Sequence, residues 1–383
     1  MKKLLFATCC IALLGGSLEA SAQKKSAAKN VLTQTLKGKS WSADNGNGTF
    51  TNPLFYDEFS DPDIIRVGED YYLAGTTMHS VPGLVVLHSK DLVNWEFSSY
   101  CFDRFDDSDD FNLRNGKEAY GQGIWAPAIR YHNGKFYIFS NINGHGLQVY
   151  ISDSAKGPWT HHKINGDIYD LSVLFDDDGK IYAVHKYGNV TVTELKPDLS
   201  GPVEGSSKVV IPEGNAMGEG HHVYKINGMY YILSADYSPM GRMQCARSKS
   251  IWGPYETCVI SERESFGYSA GWSVENVGLG RPVPDDSFAF KNNKPADTRL
   301  ICATIHQGGI VQAPDGKWWG VSMQDFNAVG RTVCLSPITW VDGWPYFGLE
   351  KNLGRSPRTW FKPNDAVKTP QAPYERCDDF SGK

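Results

Sequence analysis

Three carboxylates, Asp61, Asp170 and Glu219, each sit just ahead of or at the start of a short apolar run. An aspartate in that place is ordinarily a turn or capping residue. Three of them repeating one placement imply something else, because like charges brought close together are costly to bury without a function. The chemistry that such a set can do is paired proton transfer: one carboxyl gives a proton while another takes one from water. Aspartate, with the lower intrinsic pKa, suits the base, and Asp61 fills that role. Glu219 suits the acid, which needs its pKa raised so that it holds a proton at working pH. The charge of a neighbouring Asp170 would raise that pKa and orient the acid.

The elements that must position these groups are given by an internal repeat. Five times the chain runs through a short apolar strand, a tight glycine-containing turn and a closing aromatic: Asp63–Tyr72, Ala128–Tyr137, Val173–Tyr182, Val223–Tyr231 and Ile310–Trp319. Asn-Gly and Asp-Gly between β-prone runs mark hairpins, since those turns need positive φ. The tightest spacings, 45 residues from Tyr137 to Tyr182 and 49 from Tyr182 to Tyr231, match a four-stranded propeller blade. The wider gaps hold an acidic stretch near 103–110, read as a solvated face, and a polar stretch near 262–299; both read as insertions. A second repeated element, Ser89–Trp95, Ser152–Trp159 and Ser248–Tyr255, marks the outer part of the blades. A single blade cannot bury both faces of its small sheet, so the repeats must pack radially around a channel. An all-β, five-bladed β-propeller over residues 46–360 is the expectation, with a large β-sandwich as the alternative.

Repeat register then brings the carboxylates together. Asp61 lies 11 residues before Tyr72, Asp170 lies 12 before Tyr182 and Glu219 lies 12 before Tyr231. All three are therefore expected at one height, around one mouth of the channel. Trp125 of blade two and His306 and Gln307 of blade five enter at the same level, and His79, Trp272 and Arg331 complete the candidate substrate contacts. Acids with aromatic and imidazole rings at a concave mouth suit a carbohydrate, whose apolar ring faces stack on aromatic rings. Phe, Tyr and Trp make up 13% of the chain, with 11 Trp. Glycosidic cleavage needs the acid and base just described. The net charge of -5 argues against nucleic acid as a partner.

At these residues the sequence resembles glycoside hydrolase family 43, the β-xylosidases and α-L-arabinofuranosidases. The motifs that carry the resemblance are Ser60–Arg66, Ile124-Trp-Ala-Pro127, Asp170–Gly179 and Gly218-Glu-Gly-His221. It implies inverting hydrolysis of xylan- or arabinan-derived saccharides, with Asp61 as general base, Asp170 as pKa modulator and Glu219 as general acid. His306 resembles the central-channel histidine of that family, which in some members lies near a metal ion. No cofactor is required, and calcium near His306 is the metal to test. Two departures stand out: Ala128, where many relatives carry an acid, which bears on sugar contacts, and Leu171 in place of proline. An endo-acting arabinanase and a non-catalytic sugar-binding propeller are the rival functions, and xylose against arabinose stays open.

The flanks carry their own signals. Lys2 and Lys3, the apolar Leu4–Leu14 and Ala20-Ser21-Ala22 read as a signal peptide over 1–22. Export to the periplasm or outside the cell is expected, with a lipid anchor at Cys9 or Cys10 the less favoured route and no membrane span. Residues 23–45 read as a flexible segment. Residues 361–383 read as a Pro-rich linker ending in Cys377–Lys383, which resembles the opening strand of a β-sandwich. The six cysteines beyond the signal show no disulfide framework or metal spacing and read mostly as buried thiols.

Overall fold

Asn133-Gly134 and Asn227-Gly228 both adopt positive φ, and each closes an antiparallel pair. Such local hairpins build the fold. The computed structural model describes residues 42–105, 108–215, 217–236, 242–261, 307–325 and 330–364. Among them lie five antiparallel sheets whose strands follow in chain order. Blade one comprises Asp63–Val67, Asp70–Ala74, Gly83–Ser89 and Glu96–Phe102. Blade two runs through Ile124–His132, Lys135–Ile142, Gly146–Ser152 and Thr160–Lys163, and blade three through Ser172–Phe175, Ile181–His185, Val190–Leu195 and Lys208–Ile211. Blade four holds Glu219–Ile226, Met229–Asp236, Arg242–Ser248 and Glu256–Val259. Blade five holds Ile310–Gln312, Trp318–Asp325, Arg331–Val341, Trp344–Leu349 and a short fifth strand, Asn352–Leu353. This is the five-bladed propeller that the repeat implies.

Apolar side chains fill the space between neighbouring blades. Ile129, Ile138 and Val86 meet between blades one and two, and Phe139, Val149, Val173 and Ala183 between two and three. Val184, Val192 and Ile232 meet between three and four, and Leu233, Cys245 and Phe347 between four and five. Ala128 and Leu171 both lie in the second of these clusters. The Ala128 side chain packs between blades and is not among the residues that line the pocket described below.

Blade five is joined to the segment that precedes blade one. Thr49–Thr51 pairs with Thr359–Phe361, the Asn52 side chain exchanges hydrogen bonds with the Leu335 backbone at 2.8 Å each, and Phe59 N donates to Arg331 O. The repeated Ser-rich element proves to be the loop before each outer strand. In blade one Ser89 Oγ accepts from Leu92 N, and in blade two Trp159 Nε1 reaches back to Ser99 Oγ of blade one. In the acidic stretch, Asp110 accepts from His145, so that part is tied to blade two and is not a freely solvated face.

A polar pin runs through the innermost strands. The buried Asp63 carboxylate of blade one accepts from Ile129 N and Arg130 of blade two and from His222 Nδ1 of blade four. Arg130 continues to Val173 O and Ser172 Oγ of blade three, and Ile310 N of blade five donates to Tyr224 OH of blade four. Burial opposes ionisation of Asp63, but Arg130 and His222 outweigh it and hold its pKa at about 2. The four described cysteines are free, and Cys101, Cys245 and Cys334 are buried.

Candidate active site

At or just ahead of the start of each innermost strand one residue has left-handed backbone: Asp61 (φ 51), Ala126 (φ 38), Asp170 (φ 51), Gly220 (φ 66) and Gln307 (φ 43). Each lies four residues before the strand partner of the closing aromatic: Ile65, Arg130, Leu174, Tyr224 and Val311. Four of the five are not glycine, so this conformation costs free energy that the fold must supply, as functional sites often require. At the fifth, glycine meets a steric demand as well, because a Cβ on Gly220 would collide with the Gln307 side chain.

This register corrects the expectation that the three acids share one height. Asp61 and Asp170 are equivalent, but the equivalent of both in blade four is Gly220, and Glu219 stands one residue earlier, level with Trp125 and Tyr169. The blade-three turn between Phe175 and Ile181 is longer than the two-residue turns after Val67 and Ile226. That extra residue made the count from the aromatics agree for Asp170 and Glu219.

The stagger places the groups around one pocket of about 440 Å³, lined by Asp61, Trp125, Ala126, Asn141, Tyr169, Asp170, Glu219, Gln307 and Arg331 among others. Thr76 Oγ1 donates to Asp61 Oδ2 at 2.5 Å and accepts from Ala126 N at 2.9 Å, tying the acid of blade one to blade two. Asn141 accepts from Asp170 N at 3.0 Å and donates to Ile168 O, pinning the strand entry of blade three. Gly220 N donates to Asp170 Oδ2 at 2.6 Å, and Tyr169 OH donates to Glu219 Oε2 at 3.0 Å. Two successive residues of blade three thus clasp two successive residues of blade four.

Electrostatics follow from this packing. Burial, and then the facing Glu219 carboxylate, push Asp170 up to about 8; Asp61 adds to the rise and the Gly220 N–H opposes it. Glu219 acts on Asp170 more strongly than Asp61 does. Repulsion between two carboxylates is mutual, so the Asp170–Glu219 pair retains a proton at neutral pH. Beneath them, His221 donates from Nε2 to Lys186 O and its Nδ1 meets Ser234 Oγ, while burial lowers its pKa to about 4 and keeps it neutral.

Of the candidate contacts, Trp125, Gln307 and Arg331 line the pocket. The Arg331 guanidinium is held by Glu58 (Nε 2.9 Å, Nη2 2.8 Å) and lies 5.1 Å from the centroid of the Trp125 ring. His79 is not among the lining residues: its Nδ1 accepts from Gly121 N, and its ring packs on Tyr120. That loop is bound to blade two by the Met78–Ile124 bridge, which commits the imidazole to the 120–121 turn. Trp272 and His306 lie outside the described residues, as do the signal segment and residues 365–383. Among the described residues no group of three or more His, Cys, Asp or Glu side chains is placed to hold a metal ion. Sequence reasoning missed Tyr169, Asn141, Thr76 and Glu58. Only Tyr169 carried a usable signal, its shared level with Trp125 and Glu219.

The fold and pocket together define a five-bladed propeller that gathers three carboxylates in one pocket near the starts of its innermost strands. The chain belongs to glycosyl hydrolases family 43, whose model matches residues 50–265. It is 33% identical over 332 residues to a non-reducing end alpha-L-arabinofuranosidase of Bacteroides ovatus, covering 82% of this chain and 56% of that one. It is 29% identical to a beta-xylosidase of Formosa agariphila, covering 94% of this chain and 61% of that protein. The solved structure of a bifunctional GH43-CE protein of Bacteroides eggerthii superposes with a TM-score of 0.67 at 33% identity, over 82% of this chain and 37% of that one. The chain thus spans about six tenths of the length of these two curated relatives.

Proposed function

We propose that the protein is an inverting glycoside hydrolase that releases xylose or arabinose units from plant cell-wall polysaccharides or their oligosaccharides. The observation that carries this reading is the convergence of Asp61, Asp170 and Glu219 on one pocket, with Asp170 buried against the strand start that bears Glu219. In the reaction, Asp61 takes a proton from a water as that water attacks the anomeric carbon. Glu219 gives its proton to the departing glycosidic oxygen on the other side of the ring. The bond to the leaving group breaks as the bond to water forms, and configuration inverts. Asp170 keeps a proton in the acid pair, and its bond to Gly220 N fixes the backbone from which Glu219 projects. Trp125 and Arg331 supply a ring face and fixed donors for the sugar. Membership of family 43 and the similarity to a beta-xylosidase and an arabinofuranosidase support this substrate class. Export is part of the reading, supported by the basic, apolar and Ala-Ser-Ala sequence of the first 22 residues.

Parallel assays on aryl β-xyloside, aryl α-L-arabinofuranoside and linear arabinan test the activity and separate exo from endo action. Proton NMR of the first-formed sugar tests the stereochemistry. A product that retains the anomeric configuration would overturn the roles of Asp61 and Glu219, and no hydrolysis of any of these would favour a sugar-binding propeller.

A further inference from the structure

Tyr169 stands immediately before Asp170 in the strand entry of blade three, and no part of the function proposed above uses it. Its ring lines the pocket and is half exposed, while its hydroxyl donates across the blade boundary to Glu219 Oε2 at 3.0 Å. The partner bond, Gly220 N to Asp170 Oδ2 at 2.6 Å, fixes the backbone on both sides of the same boundary. The backbones that carry the phenol and the carboxyl are therefore held in register by a second, buried hydrogen bond. Asn141 adds a third constraint by holding Asp170 N.

A carboxylic acid carries its proton on one oxygen and accepts on the other. An O–H donor fixed on Oε2 makes that oxygen the acceptor and leaves the proton on Oε1. Burial, with Glu219 and Asp170 nearby, raises the phenol pKa, so Tyr169 stays a donor throughout the working range. From this geometry we propose that Tyr169 is a positioning residue for the acid: its hydroxyl selects which oxygen of Glu219 delivers the proton and holds the rotamer that delivers it. The inference rests on Glu219 being the general acid.

The test compares Tyr169→Phe, Glu219→Gln and wild type, each as the full chain, on two aryl glycosides of whichever sugar the wild type cleaves. One has a dinitrophenol leaving group, which departs without protonation, and the other has unsubstituted phenol, which needs it. Phenylalanine retains the ring, so KM should stay within about twofold, while kcat on the phenyl glycoside should fall about 10-fold or more with the dinitrophenyl glycoside nearly spared. Because both substrates are read on one preparation, their ratio is independent of the fraction folded. Equal losses on both substrates, or no loss on either, would overturn the role of Tyr169. If Glu219→Gln itself shows no dependence on the leaving group, the acid assignment fails, and the positioning role fails with it.

Discussion

Replacing Asp170 with asparagine should disable the protein and stabilise it in the same step. The Asn Oδ1 can still accept from Gly220 N, so the 2.6 Å bond that joins blades three and four survives. What disappears is a carboxyl whose pKa is raised from 3.8 to about 8 by burial and by the facing Glu219. An acid with a raised pKa in the folded state contributes its full stability below its unfolded pKa and loses it as pH rises through the folded one. From 3.8 to about 8 the linkage is worth about 6 kcal/mol between the two pH limits. That value is a ceiling, because ionisation beside an open pocket draws in water, and a net difference of about 2 kcal/mol is expected against a total stability of about 5–15 kcal/mol. Urea unfolding of both proteins at about pH 4 and about pH 8 reads this directly. The stability of Asp170→Asn relative to wild type should rise with pH, while its activity falls by orders of magnitude. Parallel stability curves across that range would refute both the burial of Asp170 and its coupling to Glu219.

Three further outcomes are expected. Asp61→Asn and Glu219→Gln should each lower kcat at least about 100-fold with the fold intact by circular dichroism, since each removes a proton-transfer group without leaving a buried cavity. Arg331→Lys loses the two-nitrogen grip on Glu58 that aims the cation at the pocket, so KM should rise about 10-fold with a smaller effect on kcat in steady-state assays. Asp63→Asn leaves Arg130 and His222 facing no charge at the centre of the blades and should cost about 3–5 kcal/mol at neutral pH by urea unfolding. Because the Asp63 pKa is lowered to about 2, its contribution is present above about pH 4 and fades as pH falls through about 2. The gap between variant and wild type should close there.

Much of this molecule follows from local pattern. Alternating apolar strands, Asn-Gly and Asp-Gly turns and evenly spaced aromatics dictate hairpins, and hairpins that bury neither face alone dictate blades. The same periodicity brings Asp61, Asp170, Glu219 and Trp125 to one end of the innermost strands, because position along a strand is a local property. Only tertiary packing decided the rest. The offset of Glu219 from Asp61 and Asp170 depends on the length of the blade-three turn, which a count from the aromatics cannot separate from strand length. The destinations of Ala128, His79 and Arg331 depend on which neighbour each side chain meets: a blade interface, the Tyr120–Gly121 turn and Glu58. The rise in the Asp170 pKa likewise arises from burial against another blade's backbone, a property of two strands some 50 residues apart that neither strand carries alone.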